Sequence, residues 1–276
     1  MGRQKARRSR PAGVRGRHVL LVAVDGADLG LLPGAPVSFA AYWAEVDARA
    51  RAAARTGRLV LLRPLVAFDY ARFCDQHRLD PRSAAALAAY EALPVPEQEL
   101  TEYLGDPPEV LLNVLRYERE AWATGLRSKA VLAAVVEEHG PVAERELRGE
   151  AGKMLDALLD GAQAGDELTL VAKAAGLSLG AHAGAVRLVG GRPALDDRDR
   201  GRLETLLAAA LPTSATGVAA LTSAPAGSAA ERVLVWELSP AGLVPSEHGE
   251  LILAPDGPRS GSPKAEYLPG FALTRR

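Results

Sequence analysis

The sequence predicts a protein of the mixed α/β or α+β class. Three observations support this: apolar runs of strand length, apolar residues repeated at helical spacing, and Gly/Pro-rich breaks between the two patterns. The 276 residues are 48% hydrophobic and 24% charged, a balance that is typical of a globular protein with a sizeable core. We find no apolar run of the length that a membrane span requires, and therefore expect no membrane association.

A strongly basic segment opens the chain. Residues 1–17 contain seven basic and no acidic side chains, so the net charge of −1 for the whole chain leaves about −8 on the rest. The segment has no apolar periodicity, and we predict a disordered arm. Its basic residues are Arg3, Lys5, Arg7, Arg8, Arg10, Arg15 and Arg17.

The first folded unit is predicted for residues 18–106. Residues 19–24 are continuously apolar, as in a strand buried on both faces of a mainly parallel sheet. Ser38 is a suitable N-cap for an amphipathic helix that continues to Arg55, and residues 59–62 supply a second apolar strand. This order predicts a right-handed βαβ unit. A further helix is expected from Pro81 to Leu93.

Two helices and then a change of pattern follow. Residues 107–165 predict a helical hairpin, with one helix from Glu109 to His139 and the other from Val142 to Leu159. Residues 166–254 predict a mixed α/β unit, and residues 255–276 a loop or tail. The strands of the mixed α/β unit are predicted at residues 168–172, 185–189, 218–221, 233–238 and 251–253. A helix that starts at Asp196 and Asp197 is predicted between the second and third of these strands.

Residue usage indicates the setting of the protein. Arg outnumbers Lys by 28 to 5 and Ala is abundant, which suggests a GC-rich bacterial genome. A single cysteine, Cys74, cannot form an internal disulfide, so we expect a reducing, cytoplasmic compartment. The general excess of Arg over Lys makes an arginine-rich segment weaker evidence for phosphate binding than it would be in a balanced composition.

Carboxylates at the predicted strand ends form the first candidate site. Asp25 ends the first strand, Asp28 follows it, and Asp69 lies just beyond the second strand. Ligands of α/β sheets bind at the carboxyl ends of strands, and carboxylates there commonly hold Mg²⁺. The three residues therefore form a candidate metal site suited to phosphoester hydrolysis. The alternative is that Asp25 and Asp28 only hold a turn.

The segment from Val24 to Leu29 resembles the opening strand of two families, the PIN/NYN-type nucleases and the alkaline-phosphatase-like phosphodiesterases. Both have a strand that ends in Asp-Gly or a similar pair. The resemblance covers about ten residues and implies a metal-dependent phosphoesterase or nuclease. The chain departs from both families further on, since it has neither the later acidic segment of the nucleases nor a Thr or Ser nucleophile in the phosphodiesterase context.

The second candidate site is the segment of residues 170–182, which resembles the helix-turn-helix of bacterial repressors. A small residue lies four positions before Gly176, and Leu-Ser follows that glycine. The resemblance implies that the part after Gly176 enters a major groove, with Lys173, Ser178 and His182 as DNA-contacting residues. The same residues are also compatible with two strands around a turn at residues 175–176.

Three functions remain open at this point. A nucleic-acid-associated binding or regulatory protein is preferred, because the basic segment and the helix-turn-helix resemblance point independently to DNA or RNA. A metal-dependent phosphoesterase or nuclease, with Mg²⁺ as cofactor, is the first alternative. The second is a protein-interaction module without catalytic activity, which would bind a protein partner through residues 109–160. No other cofactor is evident.

Overall fold

The computed structural model describes residues 16–34, 38–95, 100–174, 177–223, 230–239, 242–246, 264–270 and 273. It confirms the mixed α/β class, with a strand–helix–strand unit at the N-terminal end and a largely antiparallel sheet in the C-terminal half. The chain divides into two compact units, Met1–Ala123 and Thr124–Arg276, and this division falls within a helix. Among the described residues, no helix combines the length and apolar character needed to cross a membrane.

The elements of unit 1 follow the predicted order, with additional short helices. Its strands are β1 (Arg17–Val22), β2 (Leu59–Pro64) and β3 (Thr101–Glu102). Its helices are α1 (Gly26–Leu29), α2 (Phe39–Arg55), α3 (Ala67–His77), α4 (Ala84–Glu91) and the first part of α5 (Pro108–His139).

The predicted βαβ unit is present as β1, α2 and β2. Strands β1 and β2 pair in parallel, from Arg17 opposite Leu59 to Val22 opposite Pro64, and β3 pairs antiparallel with β2. The N-cap of α2 is Ser38, whose Oγ accepts a hydrogen bond from the amide of Ala41 at 3.1 Å. Strand β1 includes Arg17, so the predicted 1–17 arm overlaps it by one residue, and residues 1–15 lie outside the described part of the chain.

Helix α4 starts later than predicted. Its N-cap is Ser83 rather than a residue before Pro81, because residues 80–83 form a turn in which the amide of Ser83 bonds to the carbonyl of Asp80 at 3.0 Å. The Asp80 carboxylate accepts the amide of Arg82 in the same turn. An Asx-type turn therefore takes the place of the predicted first helical turn.

The sheet of unit 1 has a different set of apolar residues on each face. One face packs against α2 and the start of α5, through Tyr42, Trp43, Leu111 and Leu115. A second cluster is built from α3 and α4 around Tyr70 and Tyr90. Both faces of β1 and β2 are thus covered, which explains why residues 19–22 and 59–62 are continuously apolar rather than alternating.

Unit 2 contains the rest of α5, two further helices and eight strands among its described residues. The helices are α6 (Pro141–Asp160) and α7 (Asp197–Ala210). The strands are β4 (Glu167–Ala174), β5 (Leu177–Ala185), β6 (Arg187–Val189), β7 (Arg192–Ala194), β8 (Thr216–Ser223), β9 (Ala230–Ser239), β10 (Gly242–Pro245) and β11 (Lys264–Pro269).

These strands form a six-stranded sheet and a separate hairpin of β6 and β7. The order in the large sheet is β10-β9-β8-β4-β5, and β11 also pairs with β9, in parallel. Leucines of α6 and α7 pack on one face of this sheet, where Trp236 is fully buried. The predicted strands at 168–172, 218–221 and 233–238 lie within β4, β8 and β9, whereas the one at 251–253 lies outside the described residues.

The helix-turn-helix prediction is wrong. Its two segments are β4 and β5, which pair antiparallel with Leu170 opposite His182, and β4 also pairs with β8. Burial along β4 alternates, with Leu168, Leu170 and Ala172 buried and Lys173 exposed, which is the period of a strand rather than of a helix. The two-strand alternative is therefore correct, and the described chain has no recognition helix at this position.

Candidate functional site

The most elaborate polar cluster of unit 1 lies at the carboxyl end of β1. Asp25 follows the strand and is the N-cap of α1, where its Oδ1 accepts a hydrogen bond from the amide of Asp28 at 2.9 Å. The carboxylate of Asp28 turns back and accepts the amide of Val24 at 3.2 Å. Each of the two carboxylates thus accepts a backbone amide of the same turn at the end of a buried strand.

A guanidinium from α5 joins the two carboxylates. Nη1 of Arg119 lies 2.6 Å from Oδ2 of Asp25 and 2.7 Å from Oδ2 of Asp28. Nη2 of the same side chain contacts Glu120 at 3.0 Å. One turn earlier in α5, Nε of Arg116 donates to the carbonyl of Val24 at 3.1 Å. Two arginines of one helix therefore bind the end of β1.

The two carboxylates lie in different surroundings. Asp28 is 3% exposed, and this burial raises the pKa of its carboxyl, although the hydrogen bond and charge of Arg119 act in the opposite direction. Burial also acts on Asp25, but the amide of Asp28 and the guanidinium of Arg119 outweigh it, so the pKa of Asp25 is lowered. The cluster therefore combines a buried carboxyl whose pKa is raised with a more exposed one whose pKa is lowered.

Asp69 takes part in a separate contact. Its Oδ2 accepts a hydrogen bond from the hydroxyl of Tyr90 at 2.7 Å. Burial raises the pKa of Tyr90, and the bond to Asp69 adds to the effect. Within the described residues, no group of three or more His, Cys, Asp or Glu side chains could hold a metal ion. The structure therefore brings two of the three predicted carboxylates together.

A buried arginine lies near the end of β2. Arg63 is 2% exposed and pairs with Leu21 in the parallel register, and its Nη1 donates to the carbonyl of Tyr90 at 2.9 Å. Its guanidinium lies 4.3 Å from the ring centroid of Tyr90 and 5.6 Å from that of Trp122. Aromatic faces thus surround this cation, an arrangement that stabilises a desolvated guanidinium.

Sequence reasoning missed Arg63, Arg116 and Arg119. The spacing of Arg116 and Arg119, three residues apart on a helix, was the only available signal, and such a spacing is common on any solvated helix face. Arg119 lies 91 residues beyond Asp28, so nothing in the local sequence indicates their contact.

The convergence of two oxygens on one nitrogen determines what the cluster can do. Oxygens of Asp25 and Asp28 that approach the same atom at 2.6 and 2.7 Å could instead hold a small cation between them. Mg²⁺ binds oxygens at about 2.0–2.1 Å, often through only one or two carboxylates together with ligand phosphates. In the structure the guanidinium of Arg119 occupies the point between the two oxygens, so a cation there would have to replace it.

The other predicted site residues are placed as follows. Lys173 is exposed on β4, while Ser178 and His182 belong to β5 and their side chains are not among those described. Arg3, Lys5, Arg7, Arg8, Arg10 and Arg15 lie outside the described residues. Cys74 is a buried free thiol in α3, as expected for a packed cysteine.

Comparison with known proteins adds one match. Residues 34–106 match a family described as a domain of unknown function (DUF8829), and these residues make up about a quarter of the chain. The match includes α2 to β3 but not Asp25, Asp28 or Arg119. No curated protein and no solved structure is significantly similar to the chain.

Proposed function

We propose that the protein associates with nucleic acid through its basic N-terminal segment. The observation that carries this proposal is the charge distribution, with seven cations and no acid in residues 1–17 and a net charge of about −8 on the remainder. The position of Arg17 supports it. Because this residue begins β1, the segment joins unit 1 at the amino end of the strand, whereas the Asp25–Asp28 pair lies beyond its carboxyl end.

Counterion release is the physical basis of this association. Each phosphate that a lysine or arginine neutralises frees condensed cations into solution, so affinity falls steeply with salt. The slope of log affinity against log salt is about −0.9 per phosphate contact on duplex DNA. Binding of this kind does not depend on base sequence, so it does not require a recognition helix at residues 177–182, where the chain forms β5.

The test compares the full-length protein with a variant that lacks residues 1–15, which leaves β1 intact. Binding to a labelled DNA duplex and to an RNA of equal length is measured across a KCl series. We expect the truncation to weaken binding to both and to reduce the salt slope by several units. Equal affinities and slopes for the two proteins would exclude the proposal.

We propose a second function, cation-assisted phosphoester chemistry at the Asp25–Asp28 pair, with Mg²⁺ as its cofactor. The observation in its favour is the approach of both carboxylates to one point beside an arginine. A ligand that carries phosphate and Mg²⁺ complements this pattern, because the cation can bind the carboxylates while Arg119 donates to the phosphate. The chemistry that Mg²⁺ supplies there is neutralisation of phosphoester charge.

Thermal unfolding with and without millimolar Mg²⁺ or Mn²⁺ tests the second function. We expect the cation to raise the melting temperature of the wild-type protein and of Asp69→Asn, which retains the pair, but not that of Asp25→Asn. Hydrolysis of a generic phosphodiester then shows whether binding leads to chemistry. A wild-type melting curve that is indifferent to both cations would remove the site.

The interaction-module alternative has less support. Helix α6 uses Leu155, Leu158 and Leu159 for the core of unit 2, and Leu132 of α5 joins the same core. The exposed large apolar residues of this stretch, among those described, are Val110 and Tyr117 of α5 and Val142 of α6. We retain a protein partner bound through residues 109–160 as the least favoured function.

The bacterial origin and cytoplasmic location remain proposals. The proposal of a reducing compartment rests on the single cysteine of the sequence, Cys74, whose thiol is free. Fractionation of the native host, followed by detection of the protein, would test the location.

A further inference from the structure

A second surface of unit 1 lies at the opposite end of its sheet. An open cavity of about 600 Å³ is located where α2 ends and β2 begins. The loop after β3 forms its other wall, and is held there by a hydrogen bond of 3.0 Å from the amide of Tyr103 to the carbonyl of Val60. The cavity is lined by Arg51, Ala54, Arg55, Tyr103, Leu104 and Gly105.

Two arginines of α2 face this cavity from consecutive helical turns. Arg51 and Arg55 are four residues apart, a spacing that places their side chains on one side of the helix. Nε of Arg51 lies 2.8 Å from Asp47, which also accepts the hydroxyl of Tyr103. Among the described residues, Arg55 has no ion-pair partner. The cavity thus contains one guanidinium whose charge is partly neutralised and one that is not.

Further cations lie at the same end of the sheet. Arg58 is exposed in the connection between α2 and β2, and Arg17 begins β1 opposite Leu59. The carboxylates near the cavity include Asp47, already engaged, the exposed Glu102 of β3, and Asp106, which follows Gly105. The basic residues 1–16 precede Arg17 and therefore join the fold at this end. The described guanidinium groups of Arg17, Arg55 and Arg58 thus lie near the amino ends of β1 and β2.

We propose that this cavity binds the phosphate backbone of the nucleic acid that the N-terminal segment attracts. Arg51 and Arg55 donate to phosphate oxygens, since guanidinium groups recognise phosphate through paired hydrogen bonds. Leu104, which is 64% exposed, offers apolar contact to a sugar or base. This inference rests on the proposed nucleic-acid association and assigns a folded surface to it. It is independent of the Asp25–Asp28 pair.

The decisive variants change only the two arginines. Arg55→Gln removes a side chain without described contacts, so it leaves the fold intact, and the double variant Arg51→Gln/Arg55→Gln removes both donors. The matched control is Arg72→Gln/Arg82→Gln, which removes the same charge from two exposed positions of unit 1 outside the cavity. Each full-length variant is titrated with a labelled DNA duplex and a single-stranded RNA across a KCl series.

We expect the salt slope to fall by about 1 for Arg55→Gln and by about 2 for the double variant, with affinity lowered about tenfold for the double variant at low salt. The control should change affinity less than twofold. Double-variant binding equal to that of wild type or of the control would overturn the inference, while weaker binding of the protein without residues 1–15 would still uphold the proposed function. Absence of nucleic-acid binding by the wild-type protein would overturn both.

Discussion

Nη1 of Arg119 donates to the carboxylate of Asp28 at 2.7 Å, and this carboxylate is almost entirely withdrawn from water. The contact ties α5 to the turn that ends β1, across 91 residues of sequence. A carboxylate at such depth is stabilised only if donors surround it, and the amide of Val24 is the other donor. Arg119 is therefore a structural support of the candidate site.

Replacement of this arginine tests its structural role. Arg119→Met keeps a similar side-chain length but leaves Asp28 buried without its cation, so we expect the free energy of unfolding to fall by about 2–3 kcal/mol. Urea denaturation at neutral pH measures the loss. Arg72→Met, at an exposed position of α3, is the control and should change stability by less than about 0.5 kcal/mol. Equal stabilities of the two variants would contradict the prediction.

The pKa shifts of the two carboxyls predict opposite pH dependences. The pKa of Asp28 is raised above its usual value of 3.8, so its contribution to stability is full below that pH and is lost as pH rises through the raised pKa. The pKa of Asp25 is lowered, so its contribution is full above 3.8 and is lost as pH falls through the lowered pKa.

Asn substitutions separate the two effects. As pH rises from about 3.8 through the raised pKa of Asp28, the stability of wild type relative to Asp28→Asn should decrease. Its stability relative to Asp25→Asn should decrease as pH falls below about 4. Urea denaturation across this range supplies both curves. Parallel curves for the two variants would show that the carboxyls are not in the environments described.

A glycine in β8 is required by close packing between strands. A Cβ atom at Gly217 would overlap the carbonyl oxygen of Val171 in β4, so Gly217→Ala should lower the free energy of unfolding by about 3 kcal/mol. The control is Gly152→Ala in α6, where the added methyl group meets no atom within 4 Å. This change should stabilise the protein by about 0.5–1 kcal/mol through helix propensity. Chemical denaturation of both variants checks the contrast.

Truncation at the N-terminus locates the start of the folded unit. Removal of residues 1–15 should leave the melting temperature within about 2 °C of wild type, because these residues offer no apolar periodicity for a core. Removal of residues 1–18 also deletes Arg17 and His18 from β1 and its pairing with Leu59 and Val60, and should lower the melting temperature clearly. Equal melting temperatures for both truncations would place the start of β1 later than Arg17.

Local signals in the sequence predict much of the fold. The bounds of α2 follow from the cap at Ser38 and the apolar spacing behind it, and the predicted end at Arg55 is correct. The N-cap at Asp196 marks α7 in the same way, with Oδ1 accepting the amide of Asp199 at 2.8 Å. These features depend on residues three or four apart, which is the range that pattern reasoning covers.

The candidate site was less predictable for the same physical reason. The proximity of Asp25 and Asp28 could be predicted because the two residues share one turn. The position of Asp69 could not, because it depends on which face of α3 packs against the rest of unit 1. Its partner, Tyr90, lies 21 residues further on. Residues 170–182 form two strands rather than two helices because β4 also pairs with β8, about 50 residues further along the chain. Local propensity does not encode such long-range pairing.

The sharing of one guanidinium nitrogen by two carboxylates has an evolutionary consequence. A substitution at Arg119 leaves two negative charges opposed, whereas a substitution at Asp28 leaves Arg119 paired with Asp25 and Glu120, so loss of the arginine alone is the more disfavoured change. We therefore expect positions 25, 28 and 119 to vary together among descendants of a common ancestor, with loss of the arginine accompanied by loss of an acid. An aligned set of homologues in which Arg119 is lost while both acids are retained would show that other groups have taken over its role.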